Sequence, residues 1–236
     1  MSIAVIMAGG EGKRLRPFTN SIPKPLLPIG RKPIAQLIVE RLRDAGFGDI
    51  VMSLEYGADL IRAYFRDGSQ FGVNIDYFIE PVKLGTAGCL SRIARLQSSP
   101  FLVTNGDILT DLDYRALLDL HAASGAPLTL AVRRQELPIP YGVVSVSDGQ
   151  VISIEEKPRF DYWINAGVYA LSPEALGHIP STGPFDMTDL ASALLTAGQP
   201  VRVHEITGLW FDLATADDFE RAIEDLARRA PGIIGL

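Results

Sequence analysis

An α/β fold organised on one mixed, mostly parallel sheet is what this sequence predicts, and three observations carry the prediction. Short unbroken apolar runs recur at residues 3–8, 50–54 and 101–107, as strands buried on both faces require. Segments of helical period stand between them, so the strands read as parallel neighbours in a Rossmann-like alternation. Beyond about residue 125 the pattern turns strand-rich, which adds a small inserted β-rich lobe rather than a second independent domain. The expected unit is one domain over residues 1–236.

IAVIMA, residues 3–8, opens the sheet and runs into MAGGEGKRLRPFTNSIPKPLLPIGRKP, residues 7–33. Pro17, Pro23, Pro25 and Pro28 make that stretch a long non-helical loop. Residues 33–46 begin with Pro33, carry spaced apolar positions and close on Gly46, the marks of an amphipathic helix. A strand at 50–54, a helix at 58–65 and a strand at 73–79 come next, and then a helix over 86–96 entered through LGTAG. FLVTNGD at 101–107 is a buried strand with a polar tip, and Asp113 caps a helix over 113–124. Strands are expected within 128–134, 141–158 and 163–171, with a hairpin at Ser147-Asp148-Gly149-Gln150. Helices return at 186–197 and 215–229.

The 236 residues are 47% hydrophobic, enough for a substantial core. Twenty-eight acidic against 22 basic residues give a net charge of −6, which disfavours nucleic acid or an anionic membrane as partner. The expected anionic partner is small. Cys89 is the single cysteine, so no intrachain disulfide or Cys-rich zinc site can form, and its flanking residues make it a buried filler. The opening apolar run is too short for a signal segment, and no stretch approaches the roughly 20 apolar residues of a membrane span, so a cytoplasmic location is expected. His121, His178 and His204 show no metal-ligand spacing.

Candidate chemistry begins in the first loop, where Gly9, Gly10 and Gly12 lie beside Lys13 and Arg14, and Lys24 stands between two prolines. Backbone N–H groups near cations suit an anion such as a phosphate, and a triphosphate is the first hypothesis. Two familiar motifs fail. A Walker A loop needs a Gly where Met7 stands and a Ser or Thr where Arg14 stands, and a dinucleotide fingerprint needs a third Gly where Leu15 stands. Asp107, at the sheet's carboxyl edge, is either a magnesium ligand or a turn cap. Asp212 is either its partner carboxylate or a helix-start residue, and the two matter only as a pair. Lys157 is either a rigidly placed phosphate cation or a solvated lysine. Asn165, Ala166 and Gly167 suit contacts to sugar hydroxyls, with a bulge as the bland account. Trp163 and Trp210 are core or cleft-wall aromatics, and the pairs Asp217-Asp218 and Glu224-Asp225 an exposed helix face.

Taken in order, GGEGKRLRPFTNSIPKPLLPI, LGTAG, NGD, EEKP, INAG and WFDLAT resemble the motifs of the sugar-1-phosphate nucleotidylyltransferases, over essentially the whole chain. LGTAG and WINAGVY resemble the heptose- and mannose-1-phosphate guanylyltransferases and their short bacterial relatives more than the thymidylyltransferases. The resemblance implies a three-layer α/β/α nucleotide-diphospho-sugar transferase fold, with a nucleotide half over about 1–125 and a sugar-phosphate half over about 126–236. It implies transfer of a nucleoside monophosphate from a triphosphate to a sugar 1-phosphate, with release of pyrophosphate and use of Mg2+. Carried over by position, Arg14, Lys24 and Asp107 would be catalytic, and Asp107 with Asp212 would hold the metal. Ala8, Gly9, Gly10, Gly12, Lys13, Glu80, Gly85, Thr86, Asn105 and Gly106 would face the nucleotide. Glu156, Lys157, Asn165 and Gly167 would face the sugar phosphate. An ionised sugar phosphate needs no general base, so cations and metal that bring two polyanions in line should dominate.

Three positions depart from the family pattern. Lys13 replaces the usual Thr, and Ala214 and Ala216 replace a common Gly and Pro beside the second metal ligand. LGTAG and WINAGVY favour GTP, with a uridylyltransferase for a hexose, muramic or amino-sugar 1-phosphate as the alternative. A noncatalytic sugar-nucleotide sensor and a glycosyltransferase are the readings of other classes. The expected role is stand-alone synthesis of an activated sugar for cell-envelope polysaccharide, without the β-helical extension of some relatives, and a homodimer is compatible with the family.

Overall fold

The opening apolar run becomes a strand because both of its faces are covered: Ala4 and Ile6 pack into one cluster of buried side chains, Ile3 and Val5 into another on the opposite face. A computed structural model of the chain describes residues 2–230. Its elements run β1 (Ile3–Met7), α1 (Ile34–Asp44), β2 (Asp49–Leu54), α2 (Ala58–Phe65), β3 (Asn74–Ile79), β4 (Phe101–Asn105), β5 (Ile108–Thr110) and α3 (Tyr114–Ser124). They continue with β6 (Leu128–Pro138), β7 (Gly142–Ser147), β8 (Gln150–Glu156), β9 (Arg159–Leu171), α4 (Met187–Thr196), β10 (Val201–Glu205), β11 (Trp210–Asp212) and α5 (Ala216–Arg229).

Seven strands form the main sheet in the order β10-β6-β9-β4-β1-β2-β3. Only β9 runs against the others, pairing antiparallel with both β4 and β6. The sheet is therefore mixed and mostly parallel, as the sequence predicts. One face is covered by α1, α2, α3 and α5 through residues such as Leu37, Phe65, Leu117 and Leu226. The other is covered by Leu84, Leu90, Leu96 and the buried side of α4, including Leu190 and Leu194. Cys89 is buried there, and burial pushes its thiol up to about 12, so it behaves as an apolar filler.

Helix ends obey local sequence. Asp113 accepts the N–H of Ala116 at 2.9 Å at the start of α3, and Thr215 with Asp218 forms a capping box at the start of α5. Asp218 thus has a structural task beyond an exposed helix face. The hairpin turn lies between β7 and β8, with Asp148 and Gly149 both at positive φ, as a primed two-residue turn needs.

The helix expected over residues 86–96 does not form. Two short 3-10 turns, Leu90–Arg92 and Ala94–Gln97, stand there with an extended Ile93 between them. The reason lies at the segment's start: the carbonyl of Phe185 takes the N–H groups of both Ala87 and Gly88, at 2.9 and 3.0 Å, and pins them to a distant part of the chain. The long loop over 7–33 is free of α-helix, as its prolines require, and is built instead from 3-10 turns and a two-residue strand pair.

Among the described residues no helix is long and apolar enough to cross a membrane. The expected lack of a β-helical extension past α5 concerns positions outside the described residues.

Candidate active site

The parallel strands β1, β2 and β4 all deliver their carboxyl ends to one edge of the sheet, where an α/β fold leaves a crevice for ligands. A cleft of about 430 Å³ opens there. Its floor is the first loop: Ala8, Gly9, Gly10, Gly12, Lys13 and Lys24 all line it. Its far wall is Glu80 with Gly85 and Thr86, and the tip of β4 supplies Asn105 and Asp107. The loop is held in shape by Thr19, whose hydroxyl donates to the Gly12 carbonyl at 2.9 Å, and by the Ala8 N–H bound to the Ser53 carbonyl at 2.9 Å.

The centre of charge is the ion pair of the buried Lys24 with Asp107. Asp212 reaches the same place through a small antiparallel pairing of β11 with β5, in which it stands opposite Ile108, the residue after Asp107. The Leu213 N–H, bound to the Asp107 carbonyl at 3.1 Å, fastens the arrangement. Burial first, and then the charge of Asp107, push the Asp212 carboxyl above the usual carboxylate range, while Lys24 and Arg14 pull it back. Two carboxylates and two cations therefore act on one another electrostatically. Ala214 is buried and Ala216 opens α5 behind the Thr215 cap, so the departures from the expected Gly and Pro leave Asp212 held opposite Ile108.

Gly106 is buried, and its N–H donates to the Met7 carbonyl at 2.8 Å, joining the β4 tip to the first loop. Gly167 is packed against that tip from β9: at φ +73, a Cβ there would lie 2.8 Å from the Asn105 amide nitrogen. Here the register of β9 against β6 shifts, between Asn165 and Tyr169, as a bulge requires, and neither Asn165 nor Gly167 lines the cleft. Asn165 is exposed and bridges its own neighbours, donating to the Tyr169 hydroxyl at 2.7 Å and accepting the Gly167 N–H at 3.1 Å. The Asn105 side-chain oxygen is buried with no hydrogen-bond partner among the described residues, an acceptor left for a ligand donor.

Other expected residues stand apart. Arg14 is exposed and does not line the cleft, although its charge is felt at Asp212. Glu156 and Lys157 are exposed at the foot of the β7–β8 hairpin and also do not line it. Lys157 turns the chain there at φ 48, its N–H bound to the Tyr141 carbonyl at 3.2 Å. Glu80 lines the cleft, but both its oxygens are engaged, accepting from the Ser53 hydroxyl at 2.8 Å and the Leu84 N–H at 2.9 Å. Sequence reasoning passes over Glu55, Lys83 and Asp186, which also line the cleft. Lys83 directly precedes LGTAG and is within reach of motif reading; Asp186 reads locally as a helix cap and carries no such signal.

A family model described as nucleotidyl transferase matches residues 3–229. The chain belongs to the nucleotidyl transferase family. Among curated relatives of this nucleotidyl transferase, a UTP–glucose-1-phosphate uridylyltransferase of Synechocystis sp. is 36% identical over 96% of the chain and 63% of its own length. A mannose-1-phosphate guanylyltransferase of Mycobacterium tuberculosis is 34% identical over 95% of the chain and 64% of its own length. The chain thus spans less than two thirds of these relatives. Among solved structures, HddC from Yersinia pseudotuberculosis complexed with GMP-PN superposes with a TM-score of 0.73 at 27% identity, over 96% of this chain and 100% of that one.

Proposed function

We propose that this nucleotidyl transferase moves a nucleoside monophosphate, GMP by preference, from a nucleoside triphosphate to a sugar 1-phosphate and releases pyrophosphate. The observation that carries the proposal is the Lys24–Asp107 ion pair lining a glycine-lined cleft on the carboxyl edge of the sheet, with Asp212 brought beside it by pairing opposite Ile108. In this reading residues 1–125 hold the nucleotide and 126–236 the sugar phosphate.

The donor set suits magnesium: Asp107 and Asp212 are two carboxylates brought beside one another at a cleft open to phosphate, and they would hold the ion together with phosphate oxygens. When bound by Asp107 and Asp212, the ion supplies charge neutralisation at the reacting phosphate oxygens. The chain's own residues do the rest. Backbone N–H groups of Gly9, Gly10 and Gly12 receive the triphosphate, and Lys13 and Arg14 neutralise its charge. Lys24 holds Asp107 in place and offers a cation to the attacking phosphate. Since that phosphate arrives ionised, no side chain has to remove a proton, and alignment of two anions is the main catalytic task. Asn105 offers its unpartnered oxygen to a ligand hydroxyl. Glu156, Lys157, Asn165 and Gly167 are assigned to the sugar phosphate on the motif resemblance; Lys157→Ala should raise KM for the sugar 1-phosphate more than for the triphosphate.

Preference for GTP draws support from the guanylyltransferase relative and from HddC, solved with GMP-PN. Uridylyl transfer is the second reading, favoured by the 36% identity to the Synechocystis uridylyltransferase. Pyrophosphate release from four nucleoside triphosphates, each offered several sugar 1-phosphates, decides between them; silence from every pair would leave the sensor reading. A cytoplasmic setting and a homodimer complete the proposal, and light scattering should then give about twice the 25.6 kDa chain mass.

A further inference from the structure

The wall of the cleft formed by residues 84–88 carries no long helix or strand, and yet two carboxylates from outside it hold its backbone at Leu84 and at Thr86. Glu80 takes the N–H of Leu84 at 2.9 Å. At its centre Asp186, one hundred residues further on than Thr86 and just before α4, takes two bonds on one oxygen: from the Thr86 N–H at 2.8 Å and from the Thr86 hydroxyl at 3.2 Å. The same hydroxyl accepts the N–H of Met187 at 2.9 Å, and the Phe185 N–H donates to the Leu84 carbonyl at 2.8 Å. Gly85 lies in the middle, at φ +78, so close to this anchor that a Cβ would meet the Phe185 carbonyl oxygen at 2.6 Å and the Asp186 carboxylate at 2.8 Å. Asp186 also lines the cleft itself.

We infer that Asp186 is a positioning residue for the nucleotide: its carboxylate fixes Thr86 and thereby the loop 84–88 as a preformed wall of the nucleotide pocket. The inference rests on the proposed reaction for its kinetic meaning. Leu84 and Ala87 pack into the core and Phe185 bonds the backbone around them, but Gly85 and Thr86 between them are only partly buried, so a charged acceptor holding two donors of Thr86 fixes the part that packing does not. The consequence is directional. A loosened wall weakens nucleotide binding in the ground and transition states alike, which moves KM for the triphosphate and spares kcat.

Three variants separate this from a merely structural role. Asp186→Ala removes the acceptor, Asp186→Asn keeps an oxygen in its place, and Asp189→Ala breaks only the bond by which Asp189 accepts the Asp186 N–H at 2.9 Å. Asp186→Ala should raise KM for GTP about ten-fold, the loss of bonds to a charged acceptor, with kcat and KM for mannose 1-phosphate within about two-fold. Asp186→Asn should restore most of the affinity. Asp189→Ala should lower the melting temperature and leave both KM values unchanged. Backbone amide exchange, read in all proteins without substrate, should quicken at Thr86 in Asp186→Ala and not in Asp189→Ala. An unchanged KM for GTP, an unchanged exchange rate at Thr86, or matching behaviour of Asp186→Ala and Asp189→Ala would each overturn the inference. If the wild type released no pyrophosphate with any pair, the proposed reaction would fall with the nucleotide role, and exchange at Thr86 would still report whether Asp186 is the anchor.

Discussion

Asp212 shows how a single side chain can be kept at a cost to the fold. Burial and the neighbouring Asp107 raise its folded pKa above 3.8, so the native chain holds a proton more readily than the unfolded one. Stability therefore falls as pH rises through that window, and at neutral pH the ionised Asp212 is a net burden on the metal-free protein. Asp212→Asn should melt higher than the wild type at pH 7 without magnesium. The advantage should disappear below pH 3.8, where both carboxyl forms are protonated; calorimetry across pH checks it, and a lower melting point at pH 7 would contradict it. Magnesium should raise the wild-type melting temperature and leave that of Asp212→Asn nearly unchanged.

Pairing of elements brings these residues together, and here legibility from sequence divides. Apolar runs, proline positions and capping residues make the main strands and all five α-helices readable, because each depends on its own side chains and on near neighbours. The 86–96 segment misleads because its backbone is bonded to Phe185, a contact no local pattern announces. Asp107 and Asp212 are readable as candidates, but their approach depends on a three-residue pairing of β5 with β11. Asp186 escapes for the same reason: its task lies one hundred residues away. The segment at Gly167 gives a prediction at this scale. Gly167→Ala forces a side chain into positive φ and against Asn105 and Ile108, at 2.8 and 2.9 Å. It should destabilise the protein by about 1–3 kcal/mol in denaturant titration and lower turnover through the displaced Asn105–Asp107 tip.

Across the whole molecule the two halves of the chain share one sheet, since β9 returns from the second half to pair with β4 of the first. Buried His121 of α3 ties these layers, bonded to Thr129 at 2.9 Å and to Ser172 at 3.0 Å. Burial holds its ring neutral, with a pKa below 6.5, so the unfolded chain binds a proton that the native one refuses. The stability it supports is present above pH 6.5 and drains away as pH falls beneath it. His121→Gln should flatten that acid limb of the stability profile; an unaltered slope would remove His121 from the account.

The central claim is that the cleft catalyses by neutralising and aligning two phosphate-bearing substrates. Its most direct test is the rate of pyrophosphate release from GTP and mannose 1-phosphate with magnesium, in the wild type and in Asp107→Ala of equal secondary structure. The account predicts steady release by the wild type and a loss of about 10²–10³-fold in the variant. A variant that turns over at close to the wild-type rate would contradict it.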